Sequence, residues 1–455
     1  MAEVLRSVGL DVGTTSTQMV VSQLTVENRA SSFAVPELQI TNREVCYRGQ
    51  VHFTPLLEGN LVDGERLRRL VTEEYRRAGI QREMVDTGAV IVTGETSRRE
   101  NARVVTQALA EFAGDFVVAT AGPALESVLA AKGSGAVAHS RQTGKTVLHM
   151  DIGGGTSNLC LIDGGQIQQT GCLNVGGRLV KVDAQGIITY TSPVLAPLTD
   201  LKPGEKASVE NLENMARCLT QALEMAAGLR EPTALLHQLT TKEAGTSWNI
   251  PKGPLEISFS GGVADCIAQD FPPFSFGDMG PILGKAIRES RLCQGPYRLG
   301  EETIRATVIG AGCHSTQLSG STVFYRNVAF PLKNLRVVPI SCEEQERDLA
   351  GAIRGKLGGE QTQVLCLPGM EAADYGTVTV MAEAILQGIG GQPVYVCTHA
   401  DMAKALGQAM ALRASPDRQV LCLDRVCPGP ESYLDVGAPV GPALPVVVKT
   451  LVLER

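Results

Sequence analysis

The segment most diagnostic of the fold is HMDIGGGTSN, residues 149–158. An apolar run ends at an aspartate, and an apolar residue, glycines and hydroxyl residues then lead into a second apolar run. Residues 9–17, GLDVGTTST, repeat the design. The two aspartates, Asp11 and Asp151, lie 140 residues apart (151 minus 11), which leaves room for a whole α/β lobe between the hairpins. The repeat therefore predicts two similar lobes, each with a tight hairpin.

Each hairpin has the composition of a phosphate-binding turn. Glycines let backbone N–H groups approach an anion without a Cβ in the way, and threonine hydroxyls add donors. An aspartate before the turn can accept hydrogen bonds from the water shell of Mg²⁺. One such turn is commonly just a turn, but two that face each other can hold one triphosphate. We predict Asp11 and Asp151 as the metal-binding and catalytic carboxylates. The predicted phosphate contacts are Gly13, Thr14, Thr15, Gly153, Gly154, Gly155 and Thr156.

A third segment, residues 256–264 (EISFSGGVA), is an apolar strand that ends in two glycines. A flat purine ring could lie against the backbone at such a point, because no side chain blocks it. We therefore predict that Gly261 and Gly262 contact adenosine. Taken alone, this segment would be only a turn.

The three segments, in this order, resemble the phosphate 1, phosphate 2 and adenosine motifs of the actin, Hsp70 and sugar-kinase ATPase superfamily. Residues 121–133 and 304–312, both rich in small residues, resemble the helices that such proteins pass between their lobes. The resemblance implies an α/β fold of the two-lobe actin-like ATPase type, with duplicated ribonuclease-H-like lobes that bind ATP or ADP with Mg²⁺. It also places Gly310 in the nucleotide site.

The whole chain, including residues 91–96 (IVTGET) and 446–451 (VVVKTL), resembles the bacterial ethanolamine ammonia-lyase reactivating factors. The resemblance implies an ATP-dependent, chaperone-like factor of ethanolamine catabolism whose partner is the lyase. Such a factor releases damaged cobalamin so that intact adenosylcobalamin can rebind. No histidine lies in the pattern Asp-x-His-x-x-Gly, so we expect cobalamin to be exchanged on the partner enzyme. Association with a bacterial microcompartment and assembly into a homo-oligomer are left open.

Alternating strand and helix patterns predict three units. Residues 1–145 form the first actin-like lobe, 146–318 the second lobe with the adenosine motif, and 319–455 an additional C-terminal α/β region. Residues 132–146 are predicted to be a helix end and linker, and 270–284 an irregular loop. Helices are predicted at residues 65–78, 101–112 and 209–229.

Composition limits the function classes. The formal net charge is −7 and no run is rich in Lys and Arg, which argues against nucleic-acid binding. No N-terminal signal is evident, and apolar runs such as 444–453 are shorter than the roughly 20 residues that cross a bilayer. We therefore expect a cytoplasmic protein without membrane contact. The twelve cysteines include no Cys-x-x-Cys pair and are interpreted as buried free thiols.

The first predicted crossing helix departs from the superfamily pattern. Hsp70-like proteins carry a glutamate before its proline that orients the attacking water, whereas Gly122 precedes Pro123 here. Glu126, one helical turn further on, is the candidate catalytic residue for that role; the alternative is a solvated or capping glutamate. The missing group fits a slow Mg²⁺-dependent ATPase that works as a switch.

Two other classes stay open. A small-molecule kinase of the same superfamily would share both hairpins but needs a carboxylate base near the acceptor hydroxyl, and the sequence offers no convincing candidate. A nucleotide-dependent scaffold or filament protein would self-associate when it binds ATP.

Overall fold

The computed structural model describes most of the chain. Thr14 and Thr15, and most of the predicted helix 101–112, lie outside the described residues. The described residues are 3–13, 16–28, 38–57, 61–93, 104–105, 108–109, 117–120, 122–241, 248–314, 316–319, 322–358, 362–370, 373–426, 428, 432–439 and 443–450.

The first sheet joins antiparallel and parallel strands. Its elements are β1 Glu3–Val12, β2 Ser16–Asn28, β3 Leu38–Arg48, β4 His52–Phe53, α1 Gly64–Ala78, a 3₁₀ turn at Arg82–Met84, β5 Thr87–Val92 and β6 Val117–Thr120. The strand order is β3-β2-β1-β5-β6, and β4 pairs with β2. Strands β1, β2 and β3 are antiparallel, whereas β1, β5 and β6 are parallel. Helix α1 begins after Asp63, whose carboxylate caps it, and covers the sheet with Leu67 and Val71.

The second sheet repeats this topology. From residue 123 onward the elements are α2 Pro123–Gly133, α3 Ala136–Thr143, β7 Val147–Ile152, β8 Ser157–Asp163, β9 Gln166–Leu173, β10 Val180–Val182, β11 Ile188–Thr191, a 3₁₀ turn at Pro193–Leu195, α4 Val209–Ala226, α5 Ala234–Leu239, β12 Glu256–Ser260, α6 Gly262–Ala268, α7 Gly280–Arg288, a 3₁₀ turn at Arg291–Cys293, β13 Tyr297–Leu299 and α8 Ala306–His314. The order β9-β8-β7-β12-β13 matches β3-β2-β1-β5-β6 in both position and direction. The duplicated lobes predicted from the two hairpins are therefore present.

The two lobes share helices. Ala131 of α2 packs with Val147 and Ile162 of the second sheet, although α2 precedes that sheet in the chain. Conversely, α8 follows the second sheet but packs on the first, where Val308 lies against Val20. The two helices cross so closely that a Cβ on Gly133 would lie 1.9 Å from the Ala306 carbonyl oxygen. Small residues at this crossing thus allow the two helix backbones to approach each other closely.

A third sheet follows α8. Its elements are β14 Thr316–Leu318, β15 Phe324–Arg326, β16 Leu332–Pro339, α9 Cys342–Lys356, β17 Gln363–Leu367, α10 Tyr375–Ile389, β18 Val394–Thr398, α11 Ala403–Arg413, β19 Val420–Asp424, β20 Ser432–Val436 and β21 Pro445–Thr450. The order is β14-β21-β20-β16-β17-β18-β19-β15, with β16 to β19 parallel. Helices α9, α10 and α11 pack on one face of these parallel strands. Val447 of β21 lies against Ala89 and Ile91 of the first sheet, so this region docks on the first lobe.

Some expected local structure differs. Residues 132–146 were expected to be a helix end and linker; α2 does end at Gly133, but the rest contains α3, which Gly135 and Gly144 bound with left-handed backbone. The expected loop 270–284 ends early, because α7 begins at Gly280. β14 lies in the range 146–318 expected for the second lobe but pairs with β21 of the third sheet; the division into three units stays a prediction. Within the described ranges, every helix is too short or too polar to cross a membrane.

Candidate functional site

The second hairpin joins β7 to β8 through a glycine turn. The Gly153 N–H donates to the Thr156 carbonyl oxygen at 2.9 Å, which closes the turn. The carbonyl groups of Gly153 and Gly154 accept hydrogen bonds from the backbone N–H groups of Gly177 (3.0 Å) and Arg178 (2.6 Å). In the described part of the chain, the N–H groups of Gly154 and Gly155 have no protein acceptor. Two neighbouring N–H donors of this kind can bind an anion.

The first hairpin repeats this geometry. The Gly13 N–H donates to the Ser16 carbonyl oxygen at 2.9 Å, the counterpart of the Gly153 bond. The Gly13 carbonyl oxygen accepts a hydrogen bond from Thr54 Oγ1 at 2.7 Å, which fixes β4 beside the turn. Thr14 and Thr15, at the tip, lie outside the described residues, so their phosphate contacts stay predictions.

The two aspartates lie one residue before the ends of equivalent strands and accept hydrogen bonds from hydroxyl groups. Thr93 Oγ1 donates to Asp11 Oδ1 at 3.1 Å. Ser260 Oγ donates to Asp151 Oδ1 at 2.5 Å, and Thr307 Oγ1 donates to Asp151 Oδ2 at 3.4 Å. Since Thr307 lies on α8, which packs on the first lobe, the Asp151 carboxylate is held by both lobes.

Burial dominates the electrostatics of both aspartates, and the charge of Asp151 also acts on Asp11. Burial raises the pKa of Asp11 to about 7; the Thr93 hydrogen bond opposes this rise and the charge of Asp151 adds to it. Burial likewise raises the pKa of Asp151 to about 6, against the hydrogen bonds from Ser260 and Thr307. Two desolvated carboxylates, of which Asp11 is further disfavoured in its charged form by the charge of Asp151, fit a bound cation, which would stabilise both ionised forms. The residues present therefore fit Mg²⁺.

A buried histidine supports Asp151 from behind. His149 Nε2 lies 2.9 Å from Ser260 Oγ, and its Nδ1 lies 3.1 Å from Ser258 Oγ. Because the Ser260 hydroxyl donates its hydrogen bond to Asp151, Ser260 Oγ accepts a hydrogen bond from Nε2–H of His149. Nδ1 of the same ring then accepts a hydrogen bond from the Ser258 hydroxyl. Burial, followed by the charge of Arg298, lowers the pKa of His149 to about 3, so the imidazole is neutral. Through Ser260, this buried imidazole helps to align the Asp151 carboxylate.

The predicted adenosine segment lies at the end of β12. Gly261 has φ +86°, and a Cβ there would lie 2.3 Å from the Ile152 carbonyl oxygen. Only glycine allows the chain to pass so close to the second hairpin. Gly262 begins α6 and is exposed, and a Cβ on it would meet only Ile304, at 3.9 Å. The two glycines are thus brought beside the hairpin, and their contact with adenosine stays a prediction.

The structure places the other two predicted residues on the crossing helices. A Cβ on Gly310 would lie 2.1 Å from the Leu129 carbonyl oxygen, so helix packing by itself requires this glycine. Glu126 lies half-buried in the first turn of α2, where its N–H donates to the Gly122 carbonyl oxygen. The nucleotide contact of Gly310 and the catalytic role of Glu126 stay predictions.

Sequence reasoning missed the hydroxyl partners of the aspartates. Ser258 and Ser260 alternate with apolar residues on a strand that is buried along its whole length. Polar residues at buried strand positions need partners, and this signal could have marked them. Thr307 could not be found in this way, because its approach to Asp151 depends on how α8 crosses between the lobes.

Two lobes of one topology, each with an aspartate–glycine hairpin after its first strand, define a two-lobe actin-like α/β protein. The predicted fold class is confirmed. The family model described as "Ethanolamine utilisation protein EutA" matches residues 3–454. The chain therefore belongs to the EutA family, and the family resemblance is confirmed.

Characterised relatives and solved structures give further comparisons. The chain is 38% identical to "Ethanolamine ammonia-lyase reactivase EutA" of Escherichia coli (strain K12) and 37% identical to the protein of that name from Salmonella typhimurium (strain LT2); each comparison covers 98% of both chains. A solved structure, ethanolamine utilization protein EutJ from Carboxydothermus hydrogenoformans, shows 15% identity and a TM-score of 0.35 over 68% of this chain and 89% of that chain. The family assignment rests on the sequence comparisons.

Proposed function

We propose that this protein is an ATP-dependent reactivating factor for adenosylcobalamin-dependent ethanolamine ammonia-lyase. The observation that supports the nucleotide part is the pair Asp11 and Asp151, which lie one residue before the ends of equivalent strands in the two lobes. Burial raises the pKa of both carboxyl groups, and the charge of Asp151 adds to the rise for Asp11. The lyase part is supported by the relatives that are named ethanolamine ammonia-lyase reactivase and match over 98% of the chain. The proposed ligands are ATP or ADP with Mg²⁺, and damaged cobalamin leaves the lyase rather than this protein.

Each group has a specific task in this proposal. The N–H groups of Gly154 and Gly155 donate to phosphate oxygens, as oriented backbone amides do in other anion sites. Asp11 and Asp151 accept hydrogen bonds from the water shell of Mg²⁺, which would neutralise phosphate charge when bound. Gly262 leaves an open backbone surface beside adenosine. The protein thus contributes positioning and electrostatic stabilisation, which dominate catalysis of phosphoryl transfer.

Helices α2 and α8 would couple the bound nucleotide to the angle between the lobes. Because α2 and α8 join each lobe to the other, a change in how the hairpins hold ATP and ADP alters the angle between the lobes. The lyase responds only if it binds the two forms with unequal affinity. A slow ATPase is suited to this task, since each nucleotide state must last long enough for cobalamin to exchange. We propose a cytoplasmic protein, and its location within or beside the ethanolamine-utilisation microcompartment stays open.

The test combines hydrolysis with lyase rescue. Mg²⁺-dependent ATP turnover and reactivation of cyanocobalamin-blocked ethanolamine ammonia-lyase are measured for wild type and for Asp11→Asn and Asp151→Asn. Asp163→Asn is the matched control, because Asp163 also ends a strand of the second lobe but is exposed. We expect wild type and the control to restore lyase activity with ATP and free adenosylcobalamin, and both site variants to lose turnover at least about tenfold.

Three outcomes would redirect the proposal. Turnover without rescue would favour the small-molecule kinase. Assembly of wild type into large particles on ATP binding, again without rescue, would favour the scaffold or filament protein. Full rescue by both aspartate variants would show that the paired carboxylates do not carry the function.

A further inference from the structure

Arg178 lies directly beside the second hairpin. Its backbone N–H donates to the Gly154 carbonyl oxygen at 2.6 Å. A Cβ built on Gly154 would lie 3.3–3.5 Å from the Cβ, Cγ and Cδ atoms of Arg178, so the arginine side chain runs along the turn. The aliphatic part of a cationic side chain therefore lies against the turn whose amides are proposed to bind phosphate.

One edge of the guanidinium is anchored. Arg178 Nε donates to Asp278 Oδ2 at 2.9 Å. Asp278 is itself fixed, because its Oδ1 accepts the Gly280 N–H at 2.8 Å at the start of α7. In the described part of the chain, the two Nη groups of Arg178 make no hydrogen bond, and the side chain is 24% exposed. Asp278 thus orients a guanidinium that still has donors to offer.

The face of the same guanidinium reaches the first lobe. Arg178 Cζ lies 5.5 Å from the centroid of the Phe53 ring, within cation–π range. Phe53 belongs to β4 and pairs with Ser16, directly after the tip of the first hairpin. Its neighbour Thr54 binds the Gly13 carbonyl oxygen. Arg178 therefore spans from one hairpin to the strand that supports the other.

The site also needs positive charge. A triphosphate enters beside two aspartates, and backbone amides carry only partial charges. Lys181 is close to Asp278, but its ammonium lies over the Tyr190 ring at 5.4 Å. Arg178 is the cation that lies along the second hairpin itself.

We propose that Arg178 is a phosphate-binding residue that links nucleotide occupancy to closure of the two lobes. An arginine can stack through its face and donate hydrogen bonds within its plane at the same time. Asp278 holds Nε, Phe53 covers the face, and the Nη groups donate to the β- and γ-phosphate oxygens of the nucleotide. This inference rests on the proposed ATP site, which it deepens by naming the cation that recognises the terminal phosphates.

The test compares two substitutions at this position. Arg178→Gln removes the charge but can still donate a hydrogen bond to Asp278, whereas Arg178→Lys keeps the charge and loses the planar fork. Arg217→Gln is the matched control, because Arg217 is exposed and bonds only within its own helix, to Glu213 and Asn214. Affinities for ATP, ADP and AMP are measured by calorimetry with Mg²⁺, and unfolding midpoints report on folding.

We expect Arg178→Gln to weaken ATP binding by about 10- to 100-fold, as for loss of a hydrogen bond to a charged group. ADP should lose less and AMP should change little, while Arg178→Lys recovers part of the loss. Phe53→Leu should weaken ATP less than Arg178→Gln does. Wild-type affinity for ATP in Arg178→Gln, or equal losses for ATP and AMP, would overturn the inference alone. Failure of wild type to bind any of the three nucleotides would overturn the proposed ATP site as well.

Discussion

Replacing Asp151 by asparagine should stabilise the nucleotide-free protein at neutral pH while it removes the function. Asparagine has the shape of aspartate, and its carbonyl oxygen can still accept the hydrogen bond from Ser260. What it removes is a carboxylate whose pKa burial raises from 3.8 to about 6. The variant therefore separates the effect of the buried carboxylate on folding stability from its effect on function.

The magnitude follows from the pKa. A carboxyl group with a raised pKa in the folded state favours its protonated form, so its ionisation destabilises the fold as pH rises from 3.8 through about 6. The difference is worth about 3 kcal/mol, at about 1.36 kcal/mol for each pKa unit. Asp151→Asn should thus be more stable than wild type by about 3 kcal/mol at pH 7, and by less than about 1 kcal/mol at pH 4.

The protein contains a convenient probe for this measurement. Trp248 is the only tryptophan, packs against Gly171 of β9, and donates its indole N–H to the Ala226 carbonyl oxygen at 3.0 Å. Its fluorescence during urea unfolding in EDTA reports on the lobe that contains Asp151. The exposed Asp163→Asn serves as the control and should show no such growth of stability with pH.

A difference that does not grow between pH 4 and pH 7 would refute the reasoning. Addition of Mg²⁺ and ATP should reverse the order of stability, because ligand binding stabilises only the form that binds. Asp151→Asn that gained as much stability from Mg²⁺ and ATP as wild type would show that the carboxylate does not hold the cation.

Three further predictions concern the support of the site. Ser260→Ala removes a hydrogen bond that lowers the pKa of Asp151, so half-maximal ATP turnover should need more Mg²⁺ at pH 6 than in wild type; an unchanged Mg²⁺ requirement would contradict this. Gly261→Ala places a Cβ 2.3 Å from the Ile152 carbonyl oxygen at φ +86° and should lower the free energy of unfolding in urea by about 1–3 kcal/mol. Gly155→Ala, whose Cβ meets nothing within 4 Å, should leave the free energy of unfolding unchanged. Gly310→Ala forces α8 away from Leu129 and should lower the unfolding midpoint without nucleotide as much as with it; a loss seen only with nucleotide would instead support the predicted nucleotide contact of Gly310.

The hairpins could be predicted from sequence because their chemistry is local. An aspartate at the end of an apolar run followed by glycine sets both the strand end and the turn, and the strands around Asp11 and Asp151 form where expected. The strand Leu38–Arg48 could not be found in this way, because it contains the polar run TNRE at residues 41–44 and lies at the outer end of its sheet. The Gly-rich residues before Val147 suggested a linker, but left-handed glycines bound a short helix there. The hydroxyl partners of the aspartates depend on long-range packing, which no local pattern encodes.

The exchange of α2 and α8 between the lobes also affects folding of the chain during its synthesis. The first sheet is complete once Thr120 has been synthesised, yet α8, which packs on it beside Val20, ends only at His314, 194 residues later (314 minus 120). At typical synthesis rates this delay is about 10 to 40 s. During that time the β1–β2 surface that will receive α8 is uncovered on the ribosome. We therefore expect a fragment truncated at residue 145 to need a holdase to stay in solution.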